Sequence, residues 1–331
     1  MTSFPSDKKL SARESRVIGA LLGVHAGDSL GATVEFKSHR QIASRYPNGL
    51  RQIIGGGPFN WSAGHATDDT DMTRGTLLAY RDWTRGDDIA RLAGDYFLKW
   101  EDGDWPDRVM GSYPDDMGDA TSRGLGVYRK SRDPDHAGAG QGSAGNGSLM
   151  RCIPTALFQP DSDRLISESI RISKITHNDF RCTTSCAVYN TIVAELIKGA
   201  IPAHAVMSGE AVGLRLENMR PGEVSQAVKM GKELKVTDMA QRGPPPEMKG
   251  GASGYVLESL TIAIAAVLDE RSFEDVLVDV VRIGNDTDTN AAVAGGLLGA
   301  RDGESCIPQD WKSKLQFGKE FEDVALEMMR K

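Results

Sequence analysis

The chain has 331 residues, and its 46 acidic against 39 basic side chains give a formal net charge of −7 and a pI near 5.5. That balance excludes the basic surface that marks nucleic-acid binding, and the length allows one large domain or two, with a full hydrophobic core either way. Glycine is the outlier: 37 residues, about 11% of the chain against a typical ~7%, with neither collagen periodicity nor much proline beside it, so it suggests backbone packed at close quarters.

Four scattered cysteines, Cys152, Cys182, Cys186 and Cys306, are too few for a disulfide scaffold, and a cytoplasmic protein, with the nucleus as the other intracellular option, is expected. Residues 1–9 carry a basic pair but no apolar segment of a secretory signal. The longest apolar run, 260–268, is far shorter than the ~20 residues that cross a bilayer. A soluble protein without membrane insertion is expected, and a monomer.

In chain order, 15–36 (SRVIGALLGVHAGDSLGATVEF) carries glycines at 19, 23, 27 and 31. That spacing puts all four on one helical face, where another helix can approach closely. Each glycine costs ~1 kcal/mol of helix propensity, so such close packing is the expected compensation. Apolar residues recurring at three and four predict helices over 72–83 and 89–100. A turn-rich stretch, 101–119, leads to a short helix near 121–130, and 131–148 is too glycine-rich for a regular element. Further helices are predicted over 153–158, 164–175, 183–198, 204–219, 223–234, 254–268, 273–283, 289–300 and 320–329. The three prolines in 241–251 (QRGPPPEMKGG) predict a loop. Alternating β-branched runs are nearly absent, so the chain is read as a single all-α domain over 1–331 with an ordered core of about 14–330.

Two short acidic segments echo each other: Thr67-Asp68-Asp69-Thr70-Asp71 and Asn285-Asp286-Thr287-Asp288-Thr289-Asn290. Each precedes a helical pattern, yet a helix cap needs only one such residue. Adjacent carboxylates repel unless a cation neutralises them, and hard divalent ions take oxygen ligands of this kind. Alternation in DTDT turns Asp286 and Asp288 away from Thr287, so that both carboxylates and the Thr289 hydroxyl can converge. Together the segments suffice for two ions ~3.5 to 4 Å apart, and without cysteine or histidine inside them Mg²⁺ or Mn²⁺ is expected rather than Zn²⁺. The EF-hand spacing of glycine and glutamate is missing from both.

The loop Gly138 to Met150 (GAGQGSAGNGSLM) has the free backbone N–H groups of an anion nest, with Ser143, Asn146 and Ser148 as added donors. It fits neither a P-loop, lacking the lysine, nor a dinucleotide fold, lacking the preceding strand. Cys182 and Cys186 stand one helical turn apart and are read as buried structural thiols rather than as a metal pair with His177.

In order, GALLGVHAGDSLGATVEF, ATDDTDM, SAGNGSLMR, ITHND and GNDTDTNAAVAGGLLGA resemble the ADP-ribosylglycohydrolase family. The stretch YPDDMGDATSRGL is similar to the bacterial dinitrogenase reductase-activating branch. The resemblance runs from about residue 17 to residue 300 and implies a compact orthogonal multi-helix bundle with a binuclear Mg²⁺ or Mn²⁺ centre at the bottom of a cleft. It implies metal ligands Thr67, Asp68, Asp69, Asp286, Asp288 and Thr289, ions that hold the distal ribose hydroxyls, and catalytic roles for Glu35, Asp69 and Asp288. It further implies that Ser143, Gly145, Asn146 and Gly147 wrap the diphosphate and ribose, with His177 near the phosphates.

The implied activity is metal-assisted hydrolysis of the bond from C1″ of ADP-ribose to a protein side chain. Asp116, in the acidic stretch Glu101, Asp102, Asp104, Asp107, Asp115, Asp116 and Asp119, matches a guanidinium-reading carboxylate. ADP-ribosylarginine is therefore expected ahead of ADP-ribosylserine, and the partner is an ADP-ribosylated protein or ADP-ribose itself. A catalytically silent ADP-ribose-binding module and a two-metal phosphohydrolase are the readings from other classes. Where some relatives stack adenine on an aromatic residue this chain has Ala137 and Gly138, which leaves Tyr128 or Tyr255 as the candidate.

Overall fold

The computed structural model describes residues 9–330; most of the basic, non-apolar start lies outside the described residues. Sixteen α-helices and no strand occur among them. They are α1 (Ala12–Gly31), α2 (His39–Arg45), α3 (Asp68–Asp82), α4 (Ile89–Glu101), α5 (Asp119–Ser131), α6 (Ile153–Phe158), α7 (Ser162–Lys174) and α8 (Phe180–Lys198). The second half contributes α9 (Pro202–Leu216), α10 (Glu223–Glu233), α11 (Val236–Arg242), α12 (Val256–Leu268), α13 (Phe273–Ile283), α14 (Thr287–Asp302), α15 (Gln309–Lys312) and α16 (Gly318–Arg330).

Every helix expected from periodicity is present. Three short ones, α2, α11 and α15, were not expected. Helix α11 also runs through Arg242, so the first two residues of the predicted 241–251 loop are helical. Both acidic segments, expected just ahead of their helices, instead form the caps and first turns of α3 and α14.

Helix α1 starts on a capping box, in which Ser11 accepts from the Glu14 N–H and the Glu14 carboxylate accepts from the Ser11 N–H. It is then buried from Val17 to Gly31. Its partner is α14, which runs antiparallel to it. A β-carbon at Gly23 would overlap the Gly295 carbonyl, one at Gly27 the Ala291 carbonyl, and one at Gly31 the Thr287 carbonyl. The predicted glycine face is thus a backbone-to-backbone contact. Its consequence is positional: the end of α1 is held against the start of α14, and the segment leaving α1 passes beside the second acidic cluster. One buried cluster then runs from Val17 to Ala325, with α12 buried within it from Val256 to Val267.

Candidate active site

The site forms where the end of α1 meets the starts of α3 and α14. The organising residue is Asp28, buried in α1 and absent from the expected site residues. Its Oδ2 accepts from the Thr67 N–H (3.1 Å), the Thr70 N–H (3.3 Å) and the Thr70 hydroxyl. Thr67 then caps α3 by accepting from the Asp69 N–H. The two acidic segments meet directly: Thr289 Oγ1 donates to Asp69 Oδ2 at 3.2 Å, across 220 positions of sequence. Thr287 points the other way, donating to the Gly31 carbonyl at 2.8 Å, as the alternation implied.

Asn285, in left-handed backbone (φ +64°), ties the segment after α1 to this cluster. Its N–H donates to the Lys37 carbonyl (2.7 Å) and its own carbonyl accepts from the Phe36 N–H (2.8 Å). Glu35 is thereby set next to Asp286 and Asp288.

A cleft of about 670 Å³ opens over these residues. Its walls include Glu35, Asp68, Asp116, Ser143, Gly145, Asn146, Gly147, His177, Asp286, Asp288 and Thr289. The remaining expected residues, Thr67 and Asp69, are buried and sit beneath Thr289 rather than in the wall. A separate cavity of about 440 Å³, lined by Leu157, Leu165, Ile197 and Met328 among others, contains no residue of either acidic cluster.

The glycine-rich loop supplies the facing wall. Many of its N–H groups are engaged in protein contacts, such as Gly142 with Asp179 Oδ2 (2.7 Å) and Asn146 with the Gly254 carbonyl (3.0 Å). The N–H groups of Gly145 and Gly147 have no acceptor among the described residues. A β-carbon at Gly145 would come within 3.2 Å of His177 Nε2, and one at Gly147 within 3.0 Å of its Cε1, so glycine is what lets the loop cross the imidazole. Asn146 turns inward, donating to Asp286 Oδ2 (2.7 Å) and Ser259 Oγ (2.9 Å); in this structure it orients a carboxylate.

Several expectations are corrected. Asp71, counted with the first acidic segment, faces away and accepts from the indoles of Trp100 (2.9 Å) and Trp105 (2.8 Å). The acidic stretch around Asp116 is not one guanidinium-reading face, because Glu101 and Asp102 pair with Arg129. Only Asp116 and Asp119 of its seven acids reach the cleft. Asp116 Oδ2 accepts from the Asp68 N–H at 2.9 Å, which links it to the first acidic segment. Neither tyrosine suggested for adenine lines the cleft. Tyr128 is fully buried with its hydroxyl on the Arg91 carbonyl, and the Tyr255 ring carries the Arg181 guanidinium 5.7 Å from its centre. Cys182 and Cys186 are buried, their thiols against the Gly145 carbonyl and the Ser148 hydroxyl.

The electrostatics are those of an uncompensated carboxylate cluster. Burial first, then repulsion from Asp286, Asp116 and Asp28, pushes Glu35 up to about 8. Burial raises Asp28 to about 7 against its threonine donors, and Asp116 to about 6. Burial raises Asp68, Asp69 and Asp288, with further repulsion chiefly from Asp116 on Asp68, from Asp28 on Asp69 and from Glu35 on Asp288, and Asp286 is raised by burial. Four carboxylate oxygens, Asp28 Oδ1, Glu35 Oε2, Asp69 Oδ1 and Asp288 Oδ1, are sealed from solvent without any hydrogen-bond donor. A buried acceptor of this kind costs ~1–3 kcal/mol if left unmet. Two of them, on Asp69 and Asp288, belong to the joined acidic segments, where a hard cation would meet them, so the donor set fits a divalent ion. Among the described residues no three His, Cys, Asp or Glu side chains are already arranged to hold one ion, so ligation calls for side-chain rotation.

Known proteins fit this geometry. The ADP-ribosylglycohydrolase family model matches residues 9–331. The ADP-ribosyl-[dinitrogen reductase] glycohydrolase of Rhodospirillum rubrum is 30% identical over 311 residues, covering 93% of this chain and 92% of that protein. The ADP-ribosylarginine hydrolase Tri1 of Pseudomonas putida (strain GB-1) is 29% identical over 320 residues, 95% and 77% of the two chains. Human ADP-ribosylhydrolase ARH3 is more distant, at 25% over 362 residues. A solved structure titled "ADP-ribosylglycohydrolase-related protein complex" superposes with a TM-score of 0.76 at 28% identity, over 97% of this chain and 99% of that one. With its two acidic clusters joined beneath a glycine-walled cleft, the chain belongs to the ADP-ribosylglycohydrolase family and is an enzyme of the glycosidase class.

Proposed function

We propose that this enzyme removes ADP-ribose from protein side chains by hydrolysing the N-glycosidic bond of ADP-ribosylarginine, with two divalent ions, Mg²⁺ or Mn²⁺, as cofactors. The observation that carries the reading is the Thr289–Asp69 contact joining two acidic segments, each of which leaves a buried carboxylate oxygen unmet, Asp69 Oδ1 and Asp288 Oδ1. Thr67, Asp68, Asp69, Asp286, Asp288 and Thr289 would hold the ions. Once bound, the ions would supply positive charge toward the ribose hydroxyls and toward an attacking water.

The chain's own residues do the rest. Glu35 stands in the cleft wall next to Asp286 and Asp288, where burial favours its protonated form. It is the proton carrier for the leaving nitrogen as the C1″–N bond breaks and C1″ passes through an oxocarbenium-like state. Water forms the new C1″–O bond and releases its proton to a cleft carboxylate. Gly145, Gly147 and His177 face the diphosphate with N–H donors. Asp116 borders the leaving group, and its anionic form accepts from a guanidinium. The arginine preference also draws support from the Pseudomonas relative, an ADP-ribosylarginine hydrolase by name, which is nearer in sequence than ARH3.

The test is turnover with Mg²⁺ or Mn²⁺ on arginine-linked and serine-linked ADP-ribosyl proteins, reading free ADP-ribose and free phosphate. Release of ADP-ribose from the arginine linkage, with Asp68→Ala and Asp288→Ala slowed at least about a hundredfold, is the expected result. Equal rates on both linkages would remove the arginine preference. Phosphate release without ADP-ribose would replace the reading with a phosphohydrolase.

A further inference from the structure

Behind the glycine wall lie two buried side chains, Arg151 and Thr176, that the reaction described above does not use. Arg151 is fully buried, its guanidinium stacked 4.5 Å from the centre of the Phe97 ring, and it forms no ion pair among the described residues. Nη1 donates to the Gly147 carbonyl at 2.8 Å and Nη2 to Thr176 Oγ1 at 2.6 Å. Thr176, also fully buried, brings that same oxygen within 2.8 Å of His177 Nδ1. On the other side of the ring, Nε2 has no protein partner among the described residues, is not among the atoms sealed from solvent, and lies against Gly145 and Gly147 in the cleft.

Donor and acceptor counting fixes the protons. An arginine only donates, so Thr176 Oγ1 accepts from Arg151 and keeps its own hydrogen. That hydrogen has one acceptor in reach, His177 Nδ1, since no other partner of the hydroxyl is present among the described residues. If Nδ1 carried a proton instead, the threonine hydrogen would be buried without an acceptor, which is unfavourable. Burial, and then the Arg151 charge, also work against a second proton on the ring.

We propose that Arg151 is a positioning residue which, through Thr176, holds His177 as the neutral tautomer with its proton on Nε2, aimed into the cleft as a donor to an anionic ligand. Nε2–H and the N–H groups of Gly145 and Gly147 then form one donor surface, with the uncompensated Arg151 charge behind it. The identity of the anion as the diphosphate of ADP-ribose rests on the proposed function; the tautomer does not.

The experiment is ¹⁵N-detected histidine NMR on the full-length protein at pH 7, paired with titration by ADP-ribose. The unaltered protein should show His177 protonated on Nε2 alone. Thr176→Val, which keeps the shape and removes the hydroxyl, should populate the Nδ1-protonated form and weaken ADP-ribose about tenfold, the equivalent of one hydrogen bond. Thr176→Ser should restore both, which a purely structural loss would not do. Arg151→Lys, unable to span Gly147 and Thr176 together, should fall between; if it does not fold, the threonine pair still decides. A proton on Nδ1 in the unaltered protein overturns the assignment, as does a Thr176→Val protein with an unchanged spectrum and unchanged affinity. Failure of the unaltered protein to bind ADP-ribose while Nε2 stays protonated overturns the ligand and leaves the tautomer standing.

Discussion

At the scale of single residues, the site depends on groups that never touch the cleft. Asp28 has one oxygen shared among three donors from the start of α3, and it is those donors that fix the backbone presenting Asp68 and Asp69. Asp28→Asn keeps the shape but turns part of the acceptor into a donor facing N–H groups. It is expected to lower activity with added Mn²⁺ by about ten- to a hundredfold, the usual cost of losing a group that orients metal ligands. A Mn²⁺ titration followed by turnover checks this, and unchanged turnover would show that α3 keeps its start without Asp28. Asp68, Asp286 and Asp288 were legible because carboxylates crowd at short spacing there, whereas Glu35 and Asp116 came only from the family resemblance. Asp28 was not, since a lone aspartate among glycines reads as a helix residue, and its partners lie about 40 positions away. Asp71 misled for the opposite reason: spacing groups it with Asp68 and Asp69, but the first turn of α3 rotates it toward Trp100 and Trp105.

At the scale of elements, the contact between α1 and α14 sets the distance between the acidic clusters. The four-residue glycine spacing predicted that some helix would come close, because a missing Cβ is a property of sequence alone. Which helix it was could not be read, since Gly295 and Gly299 look as much like poor helix formers as like contact points. Gly23→Ala is expected to cost about 1–3 kcal/mol or more, because the new carbon meets the Gly295 carbonyl and a rigid backbone cannot yield. Gly126→Ala, on the exposed side of α5 with open space around it, serves as the control and should gain about 0.5–1 kcal/mol. Urea denaturation of both proteins measures the difference, and a neutral Gly23→Ala would mean that the two helices can separate freely. The short helices α2, α11 and α15 were not expected, and the tertiary packing that holds them is not a local property of the chain.

At the scale of the whole molecule, the formal charge of −7 conceals an uneven distribution, with a buried group of acids gathered at one cleft. Their ordinary unfolded values are 3.8 for aspartate and 4.5 for glutamate, and in the fold Asp116, Asp28 and Glu35 rise to about 6, 7 and 8. Between these limits the folded state holds protons that the unfolded chain has released. Their contribution to stability is therefore whole below about pH 4 and drains away as pH climbs through the range 6 to 8. Buried His25 and His177, lowered to about 4 and about 3, act with the opposite sign, losing stability as pH falls below 6.5. A divalent ion in the carboxylate cluster, as proposed, would replace the missing protons, competing with them at low pH and substituting for them at high pH. Because an ion that binds only the folded state stabilises it by RT ln(1 + [L]/Kd), the rise in Tm with 1 mM-scale Mn²⁺ should be small near pH 5.5 and grow toward pH 8. Asp288→Asn, with one carboxylate fewer, should flatten that growth. Thermal melts at three pH values with and without Mn²⁺ give the answer, and a shift of equal size at every pH would show that the ion binds away from these acids.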